Sequence, residues 1–172
     1  VRWLFFVLVL ATACGRYGFE ERESTGGPDA STPDTSTGCV SAKPSYTFVV
    51  GTSRYRRAGT DQWLNSENDC EEGPGMHLLT VDGPAELAAL APLTGSNAIW
   101  IGLTDRITEG TFLAVTGEQP PFTPWAAGAP TAGGGDCVSW DPMTNTFADD
   151  ACNLSRDRIC ECDGRDPAAG AY

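Results

Sequence analysis

Apolar and polar positions are spaced in three different ways along the chain. Between Trp3 and Ala13 the apolar run is nearly continuous, preceded by one positive charge at Arg2 and followed by small residues before Cys14. It is too short to span a bilayer and predicts a secretory signal peptide over residues 1–13. From Glu20 to Gly38 (EERESTGGPDASTPDTSTG) no aliphatic side chain exceeds Ala. Such a segment buries too little apolar surface to offset the entropy of ordering it, so residues 14–38 read as a linker. Beyond Cys39 the spacing becomes periodic. Trp63, Leu64, Glu67 and Cys70 lie at helical spacing in QWLNSENDC, and PAELAALAPL (Pro84 to Leu93) predicts a second helix with Pro near its start. In AIWIGLTD, Ile99, Ile101 and Leu103 alternate with Trp100 and Gly102. Apolar content on both faces predicts a central, buried strand. After Gly117, short strands are interleaved with many Gly and Pro. Helices early and strands late give a mixed α+β domain over residues 39–163, followed by a flexible tail, 164–172.

The length of 172 residues leaves room for one ordinary domain with flanking segments. Val1 reads as a GTG start taken literally, and Arg outnumbers Lys ten to one, so a bacterial, GC-rich gene is expected. Ala11, Thr12, Ala13 and Cys14 resemble the lipobox of bacterial lipoproteins, with Ala11 where that pattern prefers Leu. The resemblance implies acylation at Cys14 and a membrane tie through the lipid anchor alone. The linker then forms a tether roughly 25 to 30 Å in flexible-chain span. Gly15 after that cysteine resembles lipoproteins of an outer membrane. The expected location is the cell envelope, outer-membrane-anchored or secreted.

Setting Cys14 aside leaves six cysteines: 39, 70, 137, 152, 160 and 162. An even number in an exported protein predicts three disulfides, with the connectivity left open by spacing. Cys160 and Cys162 could be half a zinc site, but a single His and scattered cysteines argue against a metal framework. Trp63, Trp100, Trp125, Phe112 and Phe147 are most simply core residues.

The order Trp63, Cys70, Gly75, Leu78, then AIWIGLTD, GTF (Gly110 to Phe112), Trp125, Gly128, Pro130, DCV (Asp136 to Val138), Cys152 and ICE (Ile159 to Glu161) resembles the C-type lectin domain family. The resemblance covers about Cys39 to Cys162. It implies disulfides Cys70–Cys160 and Cys137–Cys152 and, as in some members, Cys39–Cys162 joining the two ends. Closing long loops in this way stabilises by about 2 to 4 kcal/mol per bridge.

Sugar-binding members of the family hold a Ca²⁺ ion with a Glu-Pro-Asn or Gln-Pro-Asp triplet, an acid before the Asp-Cys pair and a later Asn-Asp pair. The corresponding positions here are Ala129-Pro130-Thr131, Gly135 and Ala148-Asp149. Only Asp149 keeps a carboxylate, with Thr131 a hydroxyl substitute, whereas a hard cation takes roughly six to eight oxygens. No cofactor is expected on this reading. Asp149 and Asp136 are the residues that would serve a metal if one were bound, and Asp105, Glu109, Asp141 and Asp150 could add to a non-standard calcium site. Pro130 keeps a turn role, often with a cis peptide before it in the family.

The expected function is therefore a recognition module for a protein or glycan ligand that works without the usual calcium site. Candidate ligand contacts are Trp140, Trp125, Phe122 and Thr131, with Trp140 foremost because Asp141-Pro142 should end its strand. The alternatives are a calcium-dependent lectin with a non-standard site and a structural envelope spacer. Enzyme chemistry is disfavoured: the one histidine, His77, sits against Leu78 and Leu79, and Gly133 to Gly135 lacks the Lys and Ser or Thr of a phosphate loop. From Cys39 onward 18 acids face 8 bases, which excludes nucleic acid as a partner. Arg54, Arg56 and Arg57 could form a local basic patch, and are read as a solvated turn. The protein is expected to be a monomer.

Overall fold

The apolar stretch Ile99–Thr104 is a strand with every residue buried. The structure, a computed structural model, describes Cys39 and residues 45–172. The expected signal peptide, Cys14 and the linker lie outside the described residues. The elements in chain order are β1 (Phe48–Val50), β2 (Ser53–Asp61), α1 (Trp63–Cys70), β3 (Met76–Leu78), α2 (Pro84–Leu90), β4 (Ile99–Thr104), β5 (Leu113–Ala114), β6 (Cys137–Asp141), β7 (Thr146–Asp150) and β8 (Arg156–Cys162). A single 3₁₀ turn, Ala91–Leu93, extends α2 to the end of the predicted helical stretch. The sheet runs β1-β2-β8-β4-β6-β7, with β3 also on β8 and β5 on β4. All pairings are antiparallel except β4 with β8. This is the α+β architecture read from the chain.

The alternation in β4 divides the interior. Ile99, Ile101 and Leu103 pack with Leu79, Leu87, Leu90 and Trp140 on one face. Trp100 on the other joins Trp63, Met76, Leu78, Val115 and the cysteines. Gly102 is required because β3 crosses so closely: a Cβ there would meet the Leu78 carbonyl oxygen at 2.5 Å and Val115 Cγ2 at 2.8 Å. Trp63 and Trp100 are buried with their indole N–H groups satisfied, Trp63 Nε1 donating to the Ile101 carbonyl at 2.8 Å and Trp100 Nε1 to that of Asp61 at 3.0 Å. Phe147 is buried too, while Phe112 and Trp125 are only partly so.

Three disulfides, Cys39–Cys162, Cys70–Cys160 and Cys137–Cys152, close loops of 123, 90 and 15 residues. In the chain-entropy model each stabilises by roughly 3 to 5 kcal/mol. The segment 164–172, expected to be a flexible tail, packs instead on the domain. Ala168 N donates to the Val115 carbonyl at 2.9 Å, Asp166 accepts from Gly75 N at 2.6 Å, and the Tyr172 ring lies edge-on to Trp63 at 5.8 Å. Its small residues allow close backbone contact, which composition alone read as looseness. No helix among the described residues is long and apolar enough to cross a membrane.

Two acids are wholly buried because the backbone of β3 and the residues after it needs acceptors. Glu67 takes the Leu78 N–H at 2.8 Å, and Glu161 takes the Thr80 N–H at 3.1 Å and its hydroxyl at 3.3 Å. Burial pushes both carboxyls up to about 7. Between them the His77 ring donates from Nδ1 to the Leu78 carbonyl at 2.9 Å and meets Asp163 Oδ1 through Nε2 at 3.1 Å. Burial opposes charge on the ring, but Asp163 and Glu161 outweigh it and raise His77 to about 9. All three groups hold protons more tightly in the folded state than their ordinary values near 4.3 and 6.5 would give. The stability they contribute is complete below those ordinary values and is lost as pH rises through about 7 for the glutamates and about 9 for the histidine. Urea unfolding at pH 5, 7 and 9 should show falling stability across the series, with His77→Gln flattening the upper half. A stability that stays level or climbs over that window would refute these proton assignments.

Candidate functional site

The chain leaves β4 at Thr104 and returns at Cys137, and the intervening 32 residues form the long loop. Its two ends are tied together: Asp105 N donates to the Asp136 carbonyl at 3.1 Å, and the Thr104 hydroxyl to the same oxygen at 2.5 Å. Midway, Pro124 to Ala126 adds to the free edge of β7. Phe147 N donates to the Pro124 carbonyl and Ala126 N to the Phe147 carbonyl, both at 2.8 Å. This docking assembles an aromatic group in which Trp125 meets Phe112 at 5.0 Å and Phe147 at 6.3 Å, and Phe122 meets Phe147 at 6.3 Å. Trp125 and Phe122 are partly buried, packed against the core.

The loop tip follows a cis Ala129–Pro130 peptide. Asp149 Oδ2 accepts from Thr131 N at 2.9 Å and from the Thr131 hydroxyl at 2.5 Å. Gly134 N donates back to the Thr131 carbonyl at 3.0 Å, and Gly133 N to Glu109 Oε1 at 3.0 Å. Partial burial works against the Asp149 charge, yet these Thr131 bonds hold its carboxyl below the usual range. The backbone lies so close to β7 that side chains are excluded at two positions. A Cβ on Gly134 would meet Thr131 Oγ1 at 1.9 Å and Asp149 Oδ2 at 2.3 Å, and one on Gly135 would meet the Asp150 carbonyl carbon at 1.9 Å.

The expected calcium cage therefore does not fit these residues. Ala129 and Ala148 offer no side-chain oxygen, Gly135 has no room for an acid, and the one remaining carboxylate, Asp149, has an oxygen already committed to Thr131. Thr131 and Asp149 are brought together, whereas Asp136 is exposed and contributes its backbone carbonyl rather than its carboxylate to the loop's closure. Asp105 differs: it is 5% exposed, Oδ2 accepts from Gly110 N at 2.8 Å, and Oδ1 is buried without a partner. Burial raises its carboxyl, reinforced by the charges of Glu109 and Asp136.

Trp140 requires correction. It is fully buried in β6, opposite Phe147 on one side and Ile99 on the other. The strand continues to Asp141 and the β7 hairpin with the returning loop covers its face, so the indole cannot reach a ligand. Arg54, Arg56 and Arg57 lie in β2 rather than in a solvated turn, and two of the three are neutralised, Arg56 by Asp69 at 3.3 Å and Arg57 by Asp157. His77 is buried rather than catalytic. Among the described residues His77, Glu161 and Asp163 have ligand atoms within 4.8 Å of one another. Asp163 there also accepts from Arg165, whose guanidinium supplies the neutralising charge. The chain reading did not single out this buried acid–base group, although Glu161 in ICE and Glu67 one turn from Trp63 were its visible signals.

Residues 59–162 match the family model described as Lectin C-type domain, more than half of the chain, and the chain belongs to that family. Membership makes this a recognition domain and not an enzyme. Relatives include Lectin BRA-3 of Megabalanus rosa, 31% identical over 58% of this chain and 64% of that protein. The alpha-N-acetylgalactosamine-specific lectin of Patiria pectinifera is 33% identical over 57% of this chain and 64% of its own length. The chain thus spans slightly less than two thirds of these curated relatives. A calcium-independent type II antifreeze protein shares the fold, with a TM-score of 0.63 at 19% identity over 69% of this chain and 92% of that one.

Two substitutions test this geometry. Trp140→Ala should cost about 3 to 5 kcal/mol, as an emptied core position does, measured by urea unfolding. Gly135→Glu, which restores an acid at the cage position, should destabilise by about 1 to 3 kcal/mol and gain no stability from millimolar Ca²⁺ in thermal melts. A calcium-dependent rise in Tm for that variant would show that the loop can open to accept a ligand set.

Proposed function

We propose that this chain is the recognition domain of an exported, envelope-tethered lipoprotein that binds a glycan or protein ligand through its long loop without the usual calcium site. The observation that carries the reading is the closure of the loop tip by Thr131 and Asp149, with glycines packed where a cage would need side chains. A loop held by its own hydrogen bonds is formed before the ligand arrives, so binding does not wait on a metal to order it. The partly buried Trp125 and Phe122 would offer apolar surface for a sugar ring or partner side chain, and the exposed Thr131 of the same loop would offer polar contact. The two lectin relatives support a glycan, and a calcium-independent antifreeze protein shares the fold. Three disulfides support an oxidising location, and the lipobox-like Ala11 to Cys14 supports acylation at Cys14.

A glycan array probed with calcium and again with chelator should return the same pattern. Binding to any positive spot should weaken at least tenfold in Trp125→Ala, more than in Trp125→Phe, which keeps a ring packed on Phe112 and Phe147. Loss of all signal in chelator would overturn the calcium-free reading.

A second reading rests on Asp105, whose buried Oδ1 has no partner and whose neighbours Glu109 and Asp136 are acids. Asp105 Oδ1 would be the anchoring ligand of a structural Ca²⁺ ion at the base of the loop, with Glu109 and Asp136 adding negative charge around it rather than forming a ready-made carboxylate cluster. Millimolar Ca²⁺ should then raise the Tm of the wild type and leave Asp105→Asn unmoved. An unchanged wild-type Tm removes this reading.

A further inference from the structure

At the opposite end of β4 from the loop, an open groove of about 380 Å³ lies between the turn before Ile99, the end of β2 and the start of β8. A bulge makes it. The β2–β8 register shifts between Ala58 and Asp61, which pair with Arg158 and Arg156, so Thr60 and Asp157 draw apart instead of closing the ladder. Thr60, Ser96, Asn97 and Ser155 line the opening, with Arg156 and Asp157 as the charged part of the lining.

The two kinds of lining residue are in opposite hydrogen-bonding states. The charged groups are ion-paired: Arg156 donates through Nη2 to Asp150 Oδ2 at 2.8 Å with its guanidinium 5.2 Å over the Trp100 ring, its buried Nε alone lacking a partner, and Asp157 is paired with Arg57. The neutral groups are unspent: none of the Thr60, Ser96, Asn97 or Ser155 side chains hydrogen-bonds another described residue, and all four are exposed. Three hydroxyl residues and one carboxamide residue, each able to donate and accept, therefore line one concave space. Because Arg156 and Asp157 each face a partner of opposite charge, the lining presents no unpaired charge that would favour an ion.

We propose that this groove is a second, metal-free binding site for an uncharged saccharide, contacted by Thr60, Ser96, Asn97 and Ser155. Sugar hydroxyls, like these side chains, are both donors and acceptors, and the site needs neither a cation nor any movement of the long loop. It is separate from the loop reading, since β4 alone interposes a strand of six residues, roughly 15 to 20 Å. No aromatic face is exposed in the groove, so single sugars bind weakly and the groove's contribution is largest for a glycan that also engages the loop.

The test is an NMR titration of the ¹⁵N-labelled full chain, in chelator, with the methyl glycosides of glucose, galactose, mannose, fucose, N-acetylglucosamine and N-acetylgalactosamine, each to 50 mM. At least one should shift the amides of Thr60, Ser96 to Ala98 and Ser155 to Asp157 saturably. The double variant Asn97→Ala/Ser155→Ala, both exposed positions, should lower that affinity at least tenfold while leaving any shifts at Trp125 and Thr131 unchanged. Methyl glucuronide and methyl glucosaminide should bind no better than their neutral counterparts. Three results would overturn the proposal: no saturable shift in the groove with any of the six glycosides, shifts confined to Trp125 and Thr131, or an ionic sugar binding more than tenfold tighter than its neutral form. Only the loss of the Trp125 and Thr131 response would bear on the loop reading.

Discussion

Burial of β4 on both faces is the constraint from which the remainder of the domain follows. A strand of six buried residues must be covered twice, and the chain does so with unlike material. Leu87 and Leu90 of α2 with Trp140 and Phe147 cover one face, and Trp63 of α1 with the cysteine-rich region covers the other. Trp63 is also fastened to the strand's backbone through the Ile101 carbonyl, so α1 is fixed in position as well as packed. The third requirement is closeness. Gly102 lets β3 and Val115 approach within a distance no side chain tolerates, and this in turn brings Leu78 to Thr80 under the buried acids that accept their N–H groups.

That placement makes the interior unusually acidic. Glu67 and Glu161 are fully buried, each with one oxygen bonded and one without a partner. Burying a carboxyl is costly unless it stays protonated or finds a cation. Here both remedies operate, through raised proton affinity in the glutamates and through the charge on His77 nearby. Arg165 adds a further cation from the segment after β8, bonded to Asp163, Thr80 and Asp82. The packed tail is thus part of the charge balance of the core.

The long loop solves a different problem. A metal ion would bind several loop oxygens at once and order the segment; with those ligands gone the loop needs another source of order. It finds three: the edge pairing of Pro124 to Ala126 with β7, the aromatic group around Phe147, and the Thr131–Asp149 contact at the tip. The glycines at 134 and 135 belong to this solution, because they allow the backbone to lie on β7 where a side chain would hold it away.

Much of the scaffold was legible in local spacing. The alternation in AIWIGLTD dictated a doubly buried strand, QWLNSENDC and PAELAALAPL dictated the two helices, and Ala129, Gly135 and Ala148 visibly lack the side-chain oxygens that the family's calcium cage uses. Such features are legible because period and ligand chemistry belong to residues and their near neighbours. The fate of Trp140 was not, since its burial depends on the β7 hairpin and on a loop returning from Pro124, segments that the polar Asp141-Pro142 beside it does not announce. Nor was the Thr131–Asp149 contact, made across 18 residues, or the docking of 164–172 by backbone groups on Val115 and Gly75. The amino-acid order decided which residues could be buried and which could bind a metal. Which of them met was decided only by tertiary structure, because a contact between distant segments depends on the path of everything between them.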